Sequence, residues 1–90
     1  MDNPIISNYE VQAGFIIGKT WKGTSFRFFN SSLPYSILNA KRQGYIAYDN
    51  AEYSFIISVK DLTTGKILPF EMVVDAEYQA LKEFIKITGD

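Results

Sequence analysis

The sequence contains no cysteine and no histidine. Without cysteine there are no disulfides and no thiolate chemistry, and zinc sites of the usual kind lose their ligands. Histidine is the most common general base near neutral pH, so its absence removes the simplest route to acid–base catalysis. A serine or lysine nucleophile would have no evident activator. We therefore expect a non-enzymatic protein with no catalytic residues, no metal site and no cofactor.

Long hydrophobic runs are also missing. The longest apolar runs are only a few residues, such as Phe55-Ile56-Ile57, which is too short to cross a bilayer. The N-terminus, Met1-Asp2-Asn3-Pro4, carries an acidic residue where a secretory signal would carry a basic cluster. The lack of cysteine is typical of a reducing compartment. These features predict a cytoplasmic protein with no membrane partner.

What is present is ordinary globular composition, with 47% apolar and 21% charged residues. The 90 residues suit a single domain over 1–90, because a second core would leave each half below the size that folds unaided.

Most of the chain reads as strands. Tyr9 to Ile17 places apolar residues at odd positions, which is the period of a half-buried strand. Pro34 predicts that a strand at Leu33–Leu38 lies on a sheet edge. The other expected strands are Phe26–Phe29, Tyr45–Tyr48, Glu52–Lys60 and Ile67–Val74. Within Glu52–Lys60, the alternation predicts that Tyr53, Phe55, Ile57 and Val59 share one face, with only Ile56 out of pattern. The expected breaks between strands are Lys22-Gly23, Asn30–Ser32, Lys41–Gly44 and Thr63–Lys66.

The last segment changes to helical spacing. Asp75 is a good N-cap, Glu77 suits the positive end of a helix dipole, and Gly89 provides a C-terminal stop. The sequence therefore predicts an α+β fold. We expect a curved antiparallel sheet of about five strands, roughly 9–74, followed by one C-terminal amphipathic helix, roughly 76–88.

The charges are distributed unevenly. No acidic residue lies between Glu10 and Asp49, a stretch that holds five cations, whereas the rest of the chain carries ten carboxylates and four cations. The net charge of −1 therefore conceals two fields of opposite sign.

Aromatic residues concentrate in the same acid-free stretch. Cations interleaved with rings on strands are what single-stranded nucleic acid needs, since cations neutralise phosphates and rings stack on bases. Five contacted phosphates would give a log–log salt slope of roughly −3.5. The candidate nucleic-acid-binding residues are Lys19, Trp21, Lys22, Arg27, Phe29, Tyr35, Lys41 and Arg42.

Two alternatives stay open. A domain this small must bury most of its rings, so any single ring is a candidate core residue. A surface of arginine and aromatic residues suits an acidic protein partner equally well, as a small interaction or inhibitory factor or as an assembly surface. The exposure of Trp21 separates a structural ring from a binding one.

The segment from Ser54 to Ile85 resembles the end of the positive cofactor four family of transcriptional coactivators. A long strand, the Thr63-Thr64-Gly65-Lys66 hairpin, a short strand ending Met72-Val73-Val74 and a helix from Asp75 carry the resemblance. It differs at Phe70-Glu71, where the family has a basic, glycine-containing segment. The resemblance implies a dimer paired through the helix and a groove for single-stranded DNA. Under it we expect a homodimer, and the residues shared between the intrachain core and the partner are Tyr78, Leu81, Phe84 and Ile85.

Overall fold

The computed structural model describes residues 6–87, with side chains described as far as residue 82. It confirms the α+β class. Four strands form one antiparallel sheet in the order β2-β1-β3-β4. The elements, in chain order, are β1 (Ile6–Ile17), β2 (Thr20–Ser32), α1 (Leu33–Ala47), β3 (Tyr53–Asp61), β4 (Lys66–Ile67) and α2 (Phe70–Ile87).

Both helices pack on the same face of the sheet, because one buried cluster contains residues of both helices and of β1 and β3. The odd-numbered face of β1 supplies the centre of this cluster, as the alternation predicts. The side chains buried from this strand are Tyr9, Val11, Ala13 and Phe15.

The first turn lies earlier than expected. Lys22-Gly23 belongs to β2, and the chain reverses at Gly18-Lys19 instead. Gly18 has a φ of 62°, which a residue without a Cβ adopts at no steric cost. The result is a long hairpin in which β2 runs for 13 residues along β1.

The expected strands at Leu33–Leu38 and Tyr45–Tyr48, and the turn at Lys41–Gly44, are wrong: all three fall on α1, apart from Tyr48, which caps its C-terminus. Ser32 ends β2 and caps the helix, since its side chain accepts a hydrogen bond from the Tyr35 amide at 3.2 Å. Pro34 is tolerated in the first helical turn because the amide it lacks would have no intrahelical partner there.

Helix α1 is held against the sheet by a close approach at Gly44. A Cβ on this residue would overlap the ring of Phe15. That ring is fully buried and has Tyr45 and Tyr48 as neighbours, at centroid distances of 5.8 and 5.6 Å. Gly44 therefore acts as a packing residue of the helix rather than as a turn residue.

The final helix starts earlier than predicted. The strand expected at Ile67–Val74 is reduced to Lys66–Ile67, and α2 begins at Phe70, so Asp75 and Glu77 lie inside the helix rather than at its N-terminus. Pro69 precedes the first turn, and its carbonyl accepts hydrogen bonds from the amides of Met72 and Val73. Burial at helical spacing overrides the strand preference of this segment, since the residues of α2 that face the core are Val73, Ala76 and Ala80.

Strand β3 contains a bulge. Gln12 pairs with Ser58 and the next residue, Ala13, pairs with Ile56, so Ile57 is one residue in excess. The bulge explains why Ile56 departs from the alternation of this strand: it packs against the core, as does Val59, whereas Ile57 remains 46% exposed. The expectation that positions 53, 55, 57 and 59 share one face is therefore wrong for Val59.

Within the part of the chain that the structure describes, neither helix has the length and hydrophobicity needed to cross a membrane.

Candidate binding surface on the open sheet face

The sheet face away from the helices is uncovered by any described element, and we call it the open face. Its side chains form four rows across β2, β1 and β3, because directly paired residues of antiparallel strands point to the same side. The rows are Trp21–Ile16–Tyr53, Gly23–Gly14–Phe55, Ser25–Gln12–Ser58 and Arg27–Glu10–Lys60.

The first two rows, together with Ile57, form the aromatic end of the open face. The rings of Trp21 and Phe55 have their centroids 5.9 Å apart with 55° between their planes. Trp21 is 57% exposed and Tyr53 58% exposed. Exposed rings that approach one another across the intervening strand β1 are unusual for a surface that meets only water.

The two glycines of the second row make this arrangement possible. A Cβ on Gly14 would overlap the Phe55 ring, which therefore lies flat over the β1 backbone. A Cβ on Gly23 would come within 3.1 Å of the Trp21 ring and 3.9 Å of the Ile57 methyl group. The strand backbone therefore carries no side chains at the positions that the aromatic rings cover.

The other two rows form the polar end. Arg27 donates through Nε to a carboxylate oxygen of Glu10 at 3.3 Å, and its side chain remains 64% exposed. Lys60 pairs with Glu10 from β3, whereas Arg27 pairs with it from β2. The Ser58 hydroxyl donates to the Gln12 side chain at 3.3 Å. This end therefore carries two cations and one carboxylate.

Of the eight candidate residues, three lie on the open face and one lies at its end. Trp21 and Arg27 belong to its rows, and Phe29, which follows the inward-facing Phe28, continues that side of β2 and is exposed. Lys19 is exposed in the turn next to the aromatic end.

The remaining four candidates are elsewhere. Lys22 is paired with Phe15, which places it on the helix side of the sheet. Tyr35 is exposed in the first turn of α1. Lys41 forms an ion pair with Glu77 between the two helices, and Arg42 follows it on α1. The acid-free stretch is therefore divided between two sides of the molecule.

Two residues of the aromatic end were not among the candidates. Tyr53 and Phe55 belong to β3, which lies outside the acid-free stretch. They come close to Trp21 because β3 pairs with β1. The signal that was available is the alternation of Tyr53, Phe55 and Ile57 in the sequence.

Of the proposed dimer residues, Tyr78 and Leu81 are exposed on α2. The side chains of Phe84 and Ile85 lie outside the described residues. Phe70 and Val74 are exposed as well, so the outer side of α2 carries an apolar stripe at spacings of three and four residues.

One polar group is buried beneath the polar end. The Tyr9 hydroxyl lies in the core without a hydrogen-bond partner. Burial raises the pKa of Tyr9 above its ordinary value of 10.0, and the negative charge of Asp61, its partner on β3, raises it further. Tyr9 is thus a neutral core residue over the physiological pH range.

Among the described residues no three carboxylate, histidine or cysteine side chains are grouped closely enough to hold a metal ion. Comparison with models of known protein families, with curated proteins and with solved structures gives no match.

Proposed function

We propose that this chain is a non-enzymatic module that binds single-stranded nucleic acid on the open face of its sheet. The observation that carries the proposal is the pair of neighbouring, solvent-exposed rings of Trp21 and Phe55 on adjoining rows. A base can stack on such a ring whatever its identity, and each stack contributes about 1–3 kcal/mol.

The charges around these rings support a polyanionic partner. Lys19 stands at the aromatic end, and Arg27 and Lys60 stand at the polar end, against the single carboxylate of Glu10. The Arg27 side chain contacts Glu10 through Nε and is still mostly in water, so the far side of its guanidinium faces outward. A strand of nucleic acid running along β2 would meet rings and cations in turn.

The salt dependence follows from the number of cations at this surface. Three phosphate contacts predict a log–log slope of roughly −2, shallower than the value of about −3.5 for five contacts. The measurement is the affinity for an oligothymidylate across a salt series. A slope near −3.5 would mean that Lys41 and Arg42, on the helix side, contact the strand as well.

The direct test uses the single tryptophan of the chain as its own reporter. Titration with oligothymidylate at low salt is expected to quench Trp21 fluorescence. Trp21→Ala should lower the affinity, measured with a labelled oligonucleotide, by about 1–3 kcal/mol, roughly 5- to 150-fold.

The matched control is Tyr35→Ala, which removes an equally exposed ring from α1. This variant is expected to bind like the parent protein. Equal losses of oligonucleotide affinity in both variants would show that the open face is not the binding site. The absence of any binding at low salt would contradict the proposal of a nucleic-acid partner.

A second candidate is a protein partner with an acidic and apolar surface. Two exposed aliphatic side chains on the open face, Ile57 and Ile67, favour this candidate. Aliphatic groups can pack against an apolar protein surface, but they make no favourable contact with a phosphate. The absence of Trp21 quenching by oligothymidylate at low salt, together with salt-dependent binding of an acidic protein that Trp21→Ala weakens, would favour this candidate.

We also propose that the chain forms a homodimer through α2. The apolar stripe of Phe70, Val74, Tyr78 and Leu81 is separate from the side that packs on the sheet. Leu81→Glu is expected to yield monomers in sedimentation experiments, whereas Gln79→Glu, an exposed position beside the stripe, should not. The positive cofactor four resemblance implies the same helix pairing, although here residues 72–74 are helical and α1 lies between β2 and β3.

A further inference from the structure

A cavity of about 570 Å³ lies between α1, the beginning of β3 and α2. This volume falls within the range of about 300–1,000 Å³ that is typical of small-molecule sites. The residues that line it are Leu38, Lys41, Arg42, Tyr45, Ile46, Tyr53, Ser54 and Leu81.

Helix α1 builds most of the cavity wall. Leu38, Arg42 and Tyr45 are spaced by four and three residues and therefore lie along one side of the helix. The core side of α1 is a different stripe, formed by Ile37, Ala40 and Gly44. The helix thus uses one side to hold the fold and an adjacent side to line a space that the described side chains leave empty.

The chemistry of the wall is asymmetric. Hydrocarbon and ring surfaces make up nearly all of it, and apolar side chains extend to its mouth, where Ile46 is 80% exposed. The charged groups among the described lining residues are both cations, Lys41 and Arg42. The Lys41 ammonium also contacts Glu77, which is not itself part of the lining.

We propose that this cavity binds a small amphiphile with an apolar body and one anionic head group, such as a medium-chain carboxylate. The body would cover Leu38, Ile46 and Leu81, removing apolar surface from water. The head group would accept hydrogen bonds from Arg42 and Lys41. Each cation has an interaction within the chain, but guanidinium and ammonium groups have more N–H donors than one partner uses.

This site differs from the proposed nucleic-acid surface in its cations, and it shares Leu81 with the apolar stripe of α2. Tyr53 is shared by the cavity and the aromatic end of the open face, whereas both cations of the cavity belong to the helix side. Removal of Arg42 should therefore change amphiphile binding without changing oligonucleotide binding, so the two proposals can fail separately.

The test compares decanoate, decanol and decyltrimethylammonium by isothermal titration below their micellar concentrations. Decanoate is expected to bind about 10- to 100-fold more tightly than decanol, because its head group gains charge-assisted hydrogen bonds. The cationic amphiphile should bind more weakly than decanol. Amide resonances of residues 38–46 and 53–54 should shift on addition of decanoate.

Arg42→Gln should reduce the affinity for decanoate severalfold towards that for decanol, with Lys41 keeping part of the preference. The matched control is Lys22→Gln, which removes an exposed cation outside the cavity and should change nothing. Equal binding of the three amphiphiles, an Arg42→Gln protein with parental affinity, or no binding of decanoate would each overturn the proposal. Shifts confined to α2 would point instead to association between copies of the chain.

Discussion

The Phe55 ring lies over Gly14 of the neighbouring strand and occupies the space that a side chain at position 14 would need. The ring in turn contacts Trp21, so the position of the aromatic pair on the open face depends on a residue that has no side chain. This relationship separates the open face from the core, because the ring lies on the side of the sheet away from the helices and can move without disturbing them.

Gly14→Ala tests this separation. The new Cβ forces the Phe55 ring aside, but the ring is partly exposed and has room to rotate, so we expect the free energy of unfolding to change by less than about 1 kcal/mol. Oligothymidylate affinity should fall by roughly fivefold or more as the stacking surface is lost.

Ser25→Ala, one row away on the same face, serves as the control and should retain both properties. Unchanged affinity in Gly14→Ala would show that the Phe55 ring takes no part in binding.

Gly44→Ala, in contrast to Gly14→Ala, is expected to destabilise the fold. Alanine is the better helix former by about 1 kcal/mol, yet the Cβ would overlap a fully buried Phe15 ring enclosed by two tyrosines. Overpacking of a core typically costs about 1–3 kcal/mol, so we expect a net loss of stability in urea unfolding followed by circular dichroism. Gln43→Ala, at the adjacent exposed position, should remain within about 0.5 kcal/mol of the parent. A more stable Gly44→Ala protein would contradict this packing.

Ser32→Ala removes the side chain that caps α1. Loss of the hydrogen bond to the Tyr35 amide should lower the free energy of unfolding by about 1 kcal/mol. Ser32→Asp keeps an acceptor at the same place and should recover most of the loss. Equal destabilisation by both substitutions would show that the cap contributes little.

Tyr9→Phe removes a buried hydroxyl that has no partner. Since the group is desolvated without compensation, its removal should leave stability unchanged or raise it by about 1 kcal/mol. The measurement is again urea unfolding at neutral pH, and a loss of more than 1 kcal/mol would reveal a hydrogen bond to this hydroxyl.

The same residue predicts an alkaline effect. Because the pKa of Tyr9 is higher in the folded than in the unfolded state, the unfolded chain loses this proton first as the pH rises above about 10. The titration of Tyr9 therefore leaves stability unchanged below that pH and lowers it progressively as the pH rises towards the folded pKa. The decline of stability above pH 10 should therefore be shallower in Tyr9→Phe than in the parent, and identical slopes would contradict the shift.

The sequence predicted the α+β class, the inward face of β1 and the turn around Gly65 because each depends on local alternation or on a residue with a distinct backbone preference. The sequence-based prediction was wrong for α1, because a proline such as Pro34 is compatible with two different structures. Proline marks a sheet edge or a first helical turn, and the Ser32 cap and the spacing of Leu33, Ile37, Ala40 and Gly44 decide between them only when they are considered together.

The candidate surface was predictable in part. Trp21 and Arg27 lie on the same side of one strand, β2, because an even number of positions separates them. The sequence predicted both residues as candidates, but the turn expected at Lys22-Gly23 would have separated them. Tyr53 and Phe55 join them through pairing between strands that are distant in the chain, and the charge pattern gives no information about such pairing. Lys41 and Arg42 were grouped with the others by position in the sequence, although the helix that carries them lies on the other side of the sheet.

Because Ile57 is one residue in excess, β3 should tolerate the deletion of a residue at this position, which a regular strand does not. Removing one residue from a regular strand exchanges its two faces, whereas deleting Ile57 would leave Ile56 inward and Phe55 outward, as they are now. This site therefore permits a shortened chain to keep its inward and outward residues, and a version of the protein lacking position 57 should fold with β1 and β3 paired in one continuous register.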